Sequence, residues 1–309
     1  MKLRESARGR IRLRELGEDR LVAQLISRLK TAPGVIAGPG DDCAVVAAPE
    51  KGRLLLLKTD CVVESVHFLP NETARKVGWK AMMRTLSDFA AMAGEPHYAL
   101  VTLITPAERE ARWMTQLYQG LQRAADRFGV VVVGGETSGT PGPTVISVSA
   151  LGSVEKARCV RRNGGRAGDD LFVSGKLGGS GQGRHLNFVP RIAEARWLSA
   201  HFRLHAMMDL SDGLGADLPR LAEASGVGFE IDEAALPRHR SCSIGQALND
   251  GEDYELLFAI SPNDGARLEK KWRRKFPRLP LTRIGRFTRS ASGGSPVTHH
   301  SFHGYVHFQ

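Results

Sequence analysis

Six acidic residues each stand where an apolar segment meets small residues, and this placement limits the folds open to the chain. Asp42 follows Gly38-Pro39-Gly40 and precedes Ala44, Val45 and Val46; Asp60 ends the run "LLLLKTD"; Asp88 interrupts an otherwise apolar helical pattern. Glu136 follows "VVVVGG", and Asp209 and Asp212 flank a helix start in "MMDLSDGLGADL". Taken singly, each reads as a solvated turn residue or a helix cap. Taken together, they point to convergence on one cation, because carboxylates gathered beside a core repel one another unless neutralised. An all-oxygen donor set favours magnesium over zinc or copper.

The rest of the chain supplies a scaffold for such a site. With 309 residues, 42% hydrophobic and 25% charged, it is long enough for a substantial core and two domains. Apolar positions 79, 82, 83, 86, 89, 90 and 93 recur at helical spacing, and a second long helix is expected over about 107–128. Residues 52–68 contain strand-like runs broken at Lys58-Thr59-Asp60, and 128–140 reads as a strand ending in a glycine turn. Further strands are expected near 144–152, 170–175 and 228–231, with "YELLFAI" (254–260) as the last. The Arg- and Gly-rich stretch 158–168 marks a domain boundary. Helices and strands interleave in both halves. The expected class is α+β, as two α/β-type domains, 1–155 and 156–309, with a cleft between them.

Charge and cysteine usage exclude several classes. The net charge of +10 is dispersed, with basic blocks at 4–14, 158–166 and 270–276 but no interleaved aromatics, so nucleic acid is not the expected partner. Cys43, Cys61, Cys159 and Cys242 form no C-x-x-C pair and read as buried reduced thiols. No secretory leader or membrane-length apolar run is present in these residues, and the expected location is the cytoplasm.

Magnesium without redox ligands points to phosphate chemistry, and glycine turns should then accompany the carboxylates. "VGGET" (133–137) and "SGKLGGSGQG" (174–183) both follow strands and are candidates for approaching phosphates through backbone N–H groups. Neither is a P-loop or a Rossmann glycine motif. No nucleophile elbow appears. An acceptor that is itself a phosphate is already anionic and needs positioning more than deprotonation, so a kinase acting on a phosphate monoester fits.

Read in order, "GPGDDCAVV", "KTDCVVESVHF", "GWKAMMRTLSDFAAMAGEP", "VVGGET", "RRNGGRAGDDLFVSGKLG", "MMDLSDGLGADLPRLAEASGVGFEID", "GEDYELLF" and the closing "GYVHF" resemble the thiamine-monophosphate kinase family. That family is part of the superfamily of aminoimidazole ribonucleotide synthetase and selenophosphate synthetase. The resemblance runs from about Glu15 over nearly the whole chain. It implies ATP- and Mg2+-dependent phosphorylation of thiamine monophosphate to thiamine diphosphate by a homodimer joined through N-terminal sheets. It further implies Asp42, Thr59, Asp60, Asp88, Asp209 and Asp212 as magnesium ligands. Gly135, Glu136, Arg162 and Ser211 match ATP-contacting positions, and His67, Glu252 and Tyr305 match positions near the thiamine phosphate.

Some residues depart from the family pattern. Glu136 stands for the usual Asp, Lys58 for a small hydroxyl residue, Thr85 for Asn, Asp250 for Gly and Val306 for an acidic residue. The segment between Gly183 and Ala206 is shorter. The alternatives are another ATP-dependent member of the superfamily with a different acceptor, or a degenerate relative that binds nucleotide or nucleic acid without catalysis. Cys43 beside the Asp pair leaves a selenophosphate-type reading open. The histidines of "THHSFHGYVHF" match no zinc spacing.

Overall fold

The computed structural model describes residues 12–30 and 32–289. Within it, alternating burial makes β3 (Arg53–Val63) a single strand of eleven residues rather than runs broken at Lys58. Even-numbered residues from Leu54 to Val62 turn toward the core, and odd-numbered ones turn away. Before it come the short helices α1 (Leu13–Leu16) and α2 (Glu18–Ile26) and the strands β1 (Val35–Ala37) and β2 (Ala44–Ala47). After it come α3 (Ala74–Ala91), β4 (Glu95–Thr105), α4 (Ala111–Phe128), β5 (Val131–Gly139) and β6 (Val145–Glu155). The six strands form one sheet, ordered β1-β2-β3-β6-β4-β5. Its ladders are antiparallel except β4 with β5, which α4 connects in parallel.

The expected glycine turn after residue 133 is instead strand, since β5 runs straight through Gly134-Gly135-Glu136. Close approach explains Gly135: a Cβ there would lie 1.8 Å from the Val101 carbonyl oxygen. Side chains would push β5 off β4 at this point.

The second half holds a five-stranded antiparallel sheet. Its strands are β7 (Asp170–Ser174), β8 (Leu204–Asp209), β9 (Gly228–Ile231), β10 (Leu256–Ile260) and β11 (Leu281–Thr288), ordered β8-β10-β7-β11-β9. "YELLFAI" is therefore not the last strand. Four helices accompany this sheet: α5 (Ile192–His201), α6 (Leu214–Ser225), α7 (Ile244–Asn249) and α8 (Pro262–Lys275).

Helix α3 joins the two halves. It packs on β3 and β6, on α4, and on α5 and β8 of the second half. Its Met82, Met83, Leu86 and Phe89 are fully buried in a core that also takes in Phe172, Met207 and Phe258. Each such side chain contributes about 1.5–3 kcal/mol of burial free energy. A mixed α+β architecture follows, as expected. Among the described residues no helix is long and apolar enough to cross a membrane. The cysteines are all free, but only Cys43 and Cys242 are buried. Cys61 is exposed because it lies on the outward face of β3, and Cys159 is half-buried.

Candidate active site

Three of the six carboxylates meet between the halves. Asp42 precedes β2, Asp88 lies in the last turn and a half of α3, and Asp209 ends β8. One oxygen of each lies within 4.8 Å of the others, and all three residues are buried. Burial pushes the Asp88 carboxyl well up, with Lys58 opposing and Asp60, Asp209 and Asp42 adding to the rise. Asp209 is pushed up to about 6 by burial and by Asp42, while the Ser87 hydroxyl, 2.5 Å from its Oδ2, favours its charged form. Such a cluster is poised for a cation.

Arg162 braces the N-terminal acids. Its backbone N–H donates to Asp41 Oδ1 at 2.8 Å, and its guanidinium grips both oxygens of Asp42, with Nε at 3.2 Å from Oδ2. This fork fixes the loop before β2 against the stretch leading into the second half. Asp60 lies on the inward face of β3, with Lys58 and Arg84 each 3.7 Å from one of its oxygens. Its Oδ2 is buried with no hydrogen-bond partner.

The remaining expected ligands are not brought to this cluster. Thr59 follows the strand alternation to the outward face, where its hydroxyl accepts from Ser149 at 2.9 Å. Asp212 forms an ion pair with Arg220, and its backbone N–H donates to Asp217. Glu136 is separated by both distance and direction. Pairing runs from Asp60 to Val148, then Val101, then Gly135, so three strand spacings of about 4.8 Å put Gly135 about 14 Å from Asp60. Glu136 pairs with Thr102 in the next row, which includes Cys61, and so faces outward. Its Oε1 accepts from the N–H of Thr137.

Beside the cluster, His67, Arg84, Ser211, Asp212, Glu252 and Tyr254 line a small cavity. Four of these, His67, Ser211, Asp212 and Glu252, are site residues expected from the sequence, and fold contacts explain how they are held. Lys80, fully buried on α3, pairs with Glu252 at 2.6 Å and donates to the His67 carbonyl at 2.6 Å. Burial lowers the Lys80 pKa while Glu252 opposes that shift. Glu252 and Tyr254 take positive φ, 54° and 51°, a costly conformation that the surrounding contacts enforce. Tyr254 stacks on Phe188 with ring centroids 3.9 Å apart. Lys80, Arg84, Tyr254 and Phe188 went unnamed in the sequence. The signal for the first two was present: Lys80, Arg84 and Asp88 recur every four residues and form one polar stripe on α3.

Glu252 also borders a larger cavity of 560 Å³ lined by Lys176, Arg184, Arg191 and Asp253. Two amides of its glycine-rich loop are already engaged. Gly178 N–H donates to Asp253 at 2.9 Å and Gly179 N–H to Asp250 at 2.6 Å. These glycines hold the Asp250–Asp253 turn rather than waiting for phosphate. Cys43 is a core thiol raised by burial, under Met92, and is not a reactive group. Tyr305 and the histidine-rich tail lie outside the described residues.

A two-domain fold with acidic residues of both halves meeting at the junction defines an AIR synthase-type protein. In keeping with this, the AIR synthase related protein N-terminal domain matches residues 40–154 and the corresponding C-terminal domain matches residues 129–294. The thiamine-monophosphate kinase of Rhodopirellula baltica is 36% identical over 287 residues, 87% of this chain and 89% of that protein. That of Escherichia coli K12 is 32% identical over 328 aligned residues, covering 94% and 98%. A solved structure of AaThiL complexed with AMPPCP and TMP superposes with a TM-score of 0.81 at 34% identity, covering 96% of this chain and 99% of that one. The chain belongs to the thiamine-monophosphate kinase family.

Proposed function

We propose that this protein transfers the γ-phosphoryl group of ATP to thiamine monophosphate, giving thiamine diphosphate and ADP. A phosphate oxygen of thiamine monophosphate forms the new bond to Pγ. The bond from Pγ to the β,γ-bridging oxygen breaks, and that oxygen leaves on ADP. The observation that carries the reading is the convergence of Asp42, Asp88 and Asp209 at the junction of the halves, in a chain of this family.

Magnesium fits the donor set. The groups are all carboxylate oxygens, three lie within reach of one ion, and the neighbouring Asp60 Oδ2 is buried without a hydrogen-bond partner. Asp42, Asp88 and Asp209 would hold it, with Asp60 beside them. When bound, the ion neutralises triphosphate charge and aligns the group in transfer. Thr59 and Asp212 are left out of this set, since their side chains are directed elsewhere. Arg162 orients Asp42, and Ser211 stands in the adjoining cavity for ATP. Arg84 supplies a permanent cation to the acceptor phosphate there, while Glu252, held by Lys80, suits the cationic thiazolium of thiamine. No general base is assigned, because the acceptor phosphate is anionic at neutral pH.

The active unit in this proposal is a homodimer in the cytoplasm. The outward face of the six-stranded sheet exposes Tyr98, Leu100 and Val131, each about half accessible. A second copy covering this face would bury them. Glu136 stands on that face, so any nucleotide it touches reaches it from the dimer side. Division into domains at 155/156 belongs to the same proposal and gives each half its own sheet.

Steady-state turnover tests the reading. Equimolar ADP and thiamine diphosphate, formed from ATP and thiamine monophosphate only with Mg2+ present, are expected. Salt-sensitive RNA binding without turnover would replace it with the degenerate relative that binds without catalysis.

A further inference from the structure

Lys58 sits inside the acidic cluster. Its Nζ is 2.8 Å from Asp88 Oδ1 and 3.7 Å from Asp60 Oδ2. The other members have their own partners: Asp42 holds Arg162, Asp209 accepts from the Ser87 hydroxyl, and the second oxygen of Asp60 faces Arg84. Counted as fully ionised, the carboxylates of Asp42, Asp60, Asp88 and Asp209 face the cations of Lys58, Arg84 and Arg162, leaving one negative charge. Without the ammonium two would remain, the charge that a divalent ion matches. A divalent ion drawn to Asp88 would have to share this carboxylate with the ammonium.

We propose that Lys58 is an internal counter-cation that competes with the divalent ion for Asp88 and Asp60. In the nucleotide-free protein it lowers the cluster's net negative charge from two to one and weakens metal binding there. Triphosphate oxygens add negative charge and ligands, so the ion binds tightly only together with nucleotide. This coupling rests on the kinase reading for the identity of the nucleotide, while the competition rests on the carboxylate geometry alone.

Mn2+ titration followed by electron paramagnetic resonance, on the full chain without nucleotide, tests the competition. Lys58→Met is expected to bind Mn2+ at least tenfold more tightly than the native protein, and Lys58→Arg to bind like it. With AMPPCP present the gap between Lys58→Met and the native protein should shrink below threefold. Thermal unfolding gives an independent readout: the metal-free Met variant should melt lower, and Mn2+ should raise its Tm by more than it raises that of the native chain. Lys58→Gln, similar in length and uncharged, carries the same expectations if the Met variant fails to fold. A gain below tenfold in the Met variant, or equal tightening in the Arg variant, would overturn the proposal. Thiamine diphosphate formation by the native protein is measured in parallel. Its absence would sink the kinase reading and leave the Mn2+ comparison to decide on Lys58.

Discussion

Asp88 is buried among three other carboxylates and a single ammonium, so its charge is worth keeping only if a cation uses it. Asp88→Asn should lower kcat by more than about 100-fold, since losing a ligand exceeds the 10–100-fold typical of outer-shell partners. Its metal-free Tm should stay close to native, because the amide oxygen can still accept from the Lys58 ammonium while one buried negative charge is removed. Retention of most activity would take Asp88 out of the ligand set. Asp253 offers a cleaner pH test away from the cluster. Burial raises its carboxyl to about 8, and its Oδ2 lacks a partner. A raised acid binds its proton more tightly in the folded chain, so stability is lost as pH rises from about 4 toward 8. Asp253→Asn should therefore raise Tm at pH 9 and change it little at pH 5, as read by thermal unfolding at both values. At this scale the sequence exposed Asp42, Asp88 and Asp209, because carboxylates next to apolar or small residues are conspicuous. It could not by itself direct side chains. Thr59 and Asp60 are neighbours in sequence and opposites in space, since successive strand residues point to opposite faces.

Helix α3 carries the site as an element. Lys80, Arg84 and Asp88 form its polar stripe, and Gly78 lets it approach α4 closely. A Cβ at Gly78 would lie 2.1 Å from the Leu117 carbonyl oxygen. Gly78→Ala should force the helices apart at a cost of about 1–3 kcal/mol, measured by urea denaturation, with activity falling as the stripe shifts. A variant of native stability would mean that the helix pair tolerates the added methyl. The long helices and several strands were legible because their apolar periodicity is strong, and β9 falls on its expected residues. Breaks were misread where local chemistry resembled turns. Gly134-Gly135 looks like a turn, but its glycines serve close strand approach, a property of the partner strand and invisible in the segment itself. Gly178 and Gly179 looked like a phosphate cradle, yet their amides are taken by acids some seventy residues away.

For the whole molecule, the two halves are held by a shared core and by Arg162 on Asp42, which makes the cluster a product of their docking. The exposed apolar sheet face makes a separate claim about assembly. Val131→Glu, paired with Tyr98 on the outward face and 54% exposed, should convert the dimer to monomer in sedimentation equilibrium without lowering secondary-structure content. A native protein that sediments as a monomer would refute the dimer. The positive net charge gave no such guidance, because its residues are spread over the surface and many, such as Arg109 on Glu64 and Arg191 on Glu255, are spent on internal ion pairs. Convergence of the acids was legible as an expectation, but which of them meet depends on how the halves dock. Anomalous diffraction from crystals grown with Mn2+ and AMPPCP tests this most directly. A manganese peak within bonding distance of Asp42, Asp88 and Asp209, facing the nucleotide phosphates, is predicted; manganese and triphosphate bound away from these three carboxylates would contradict the account.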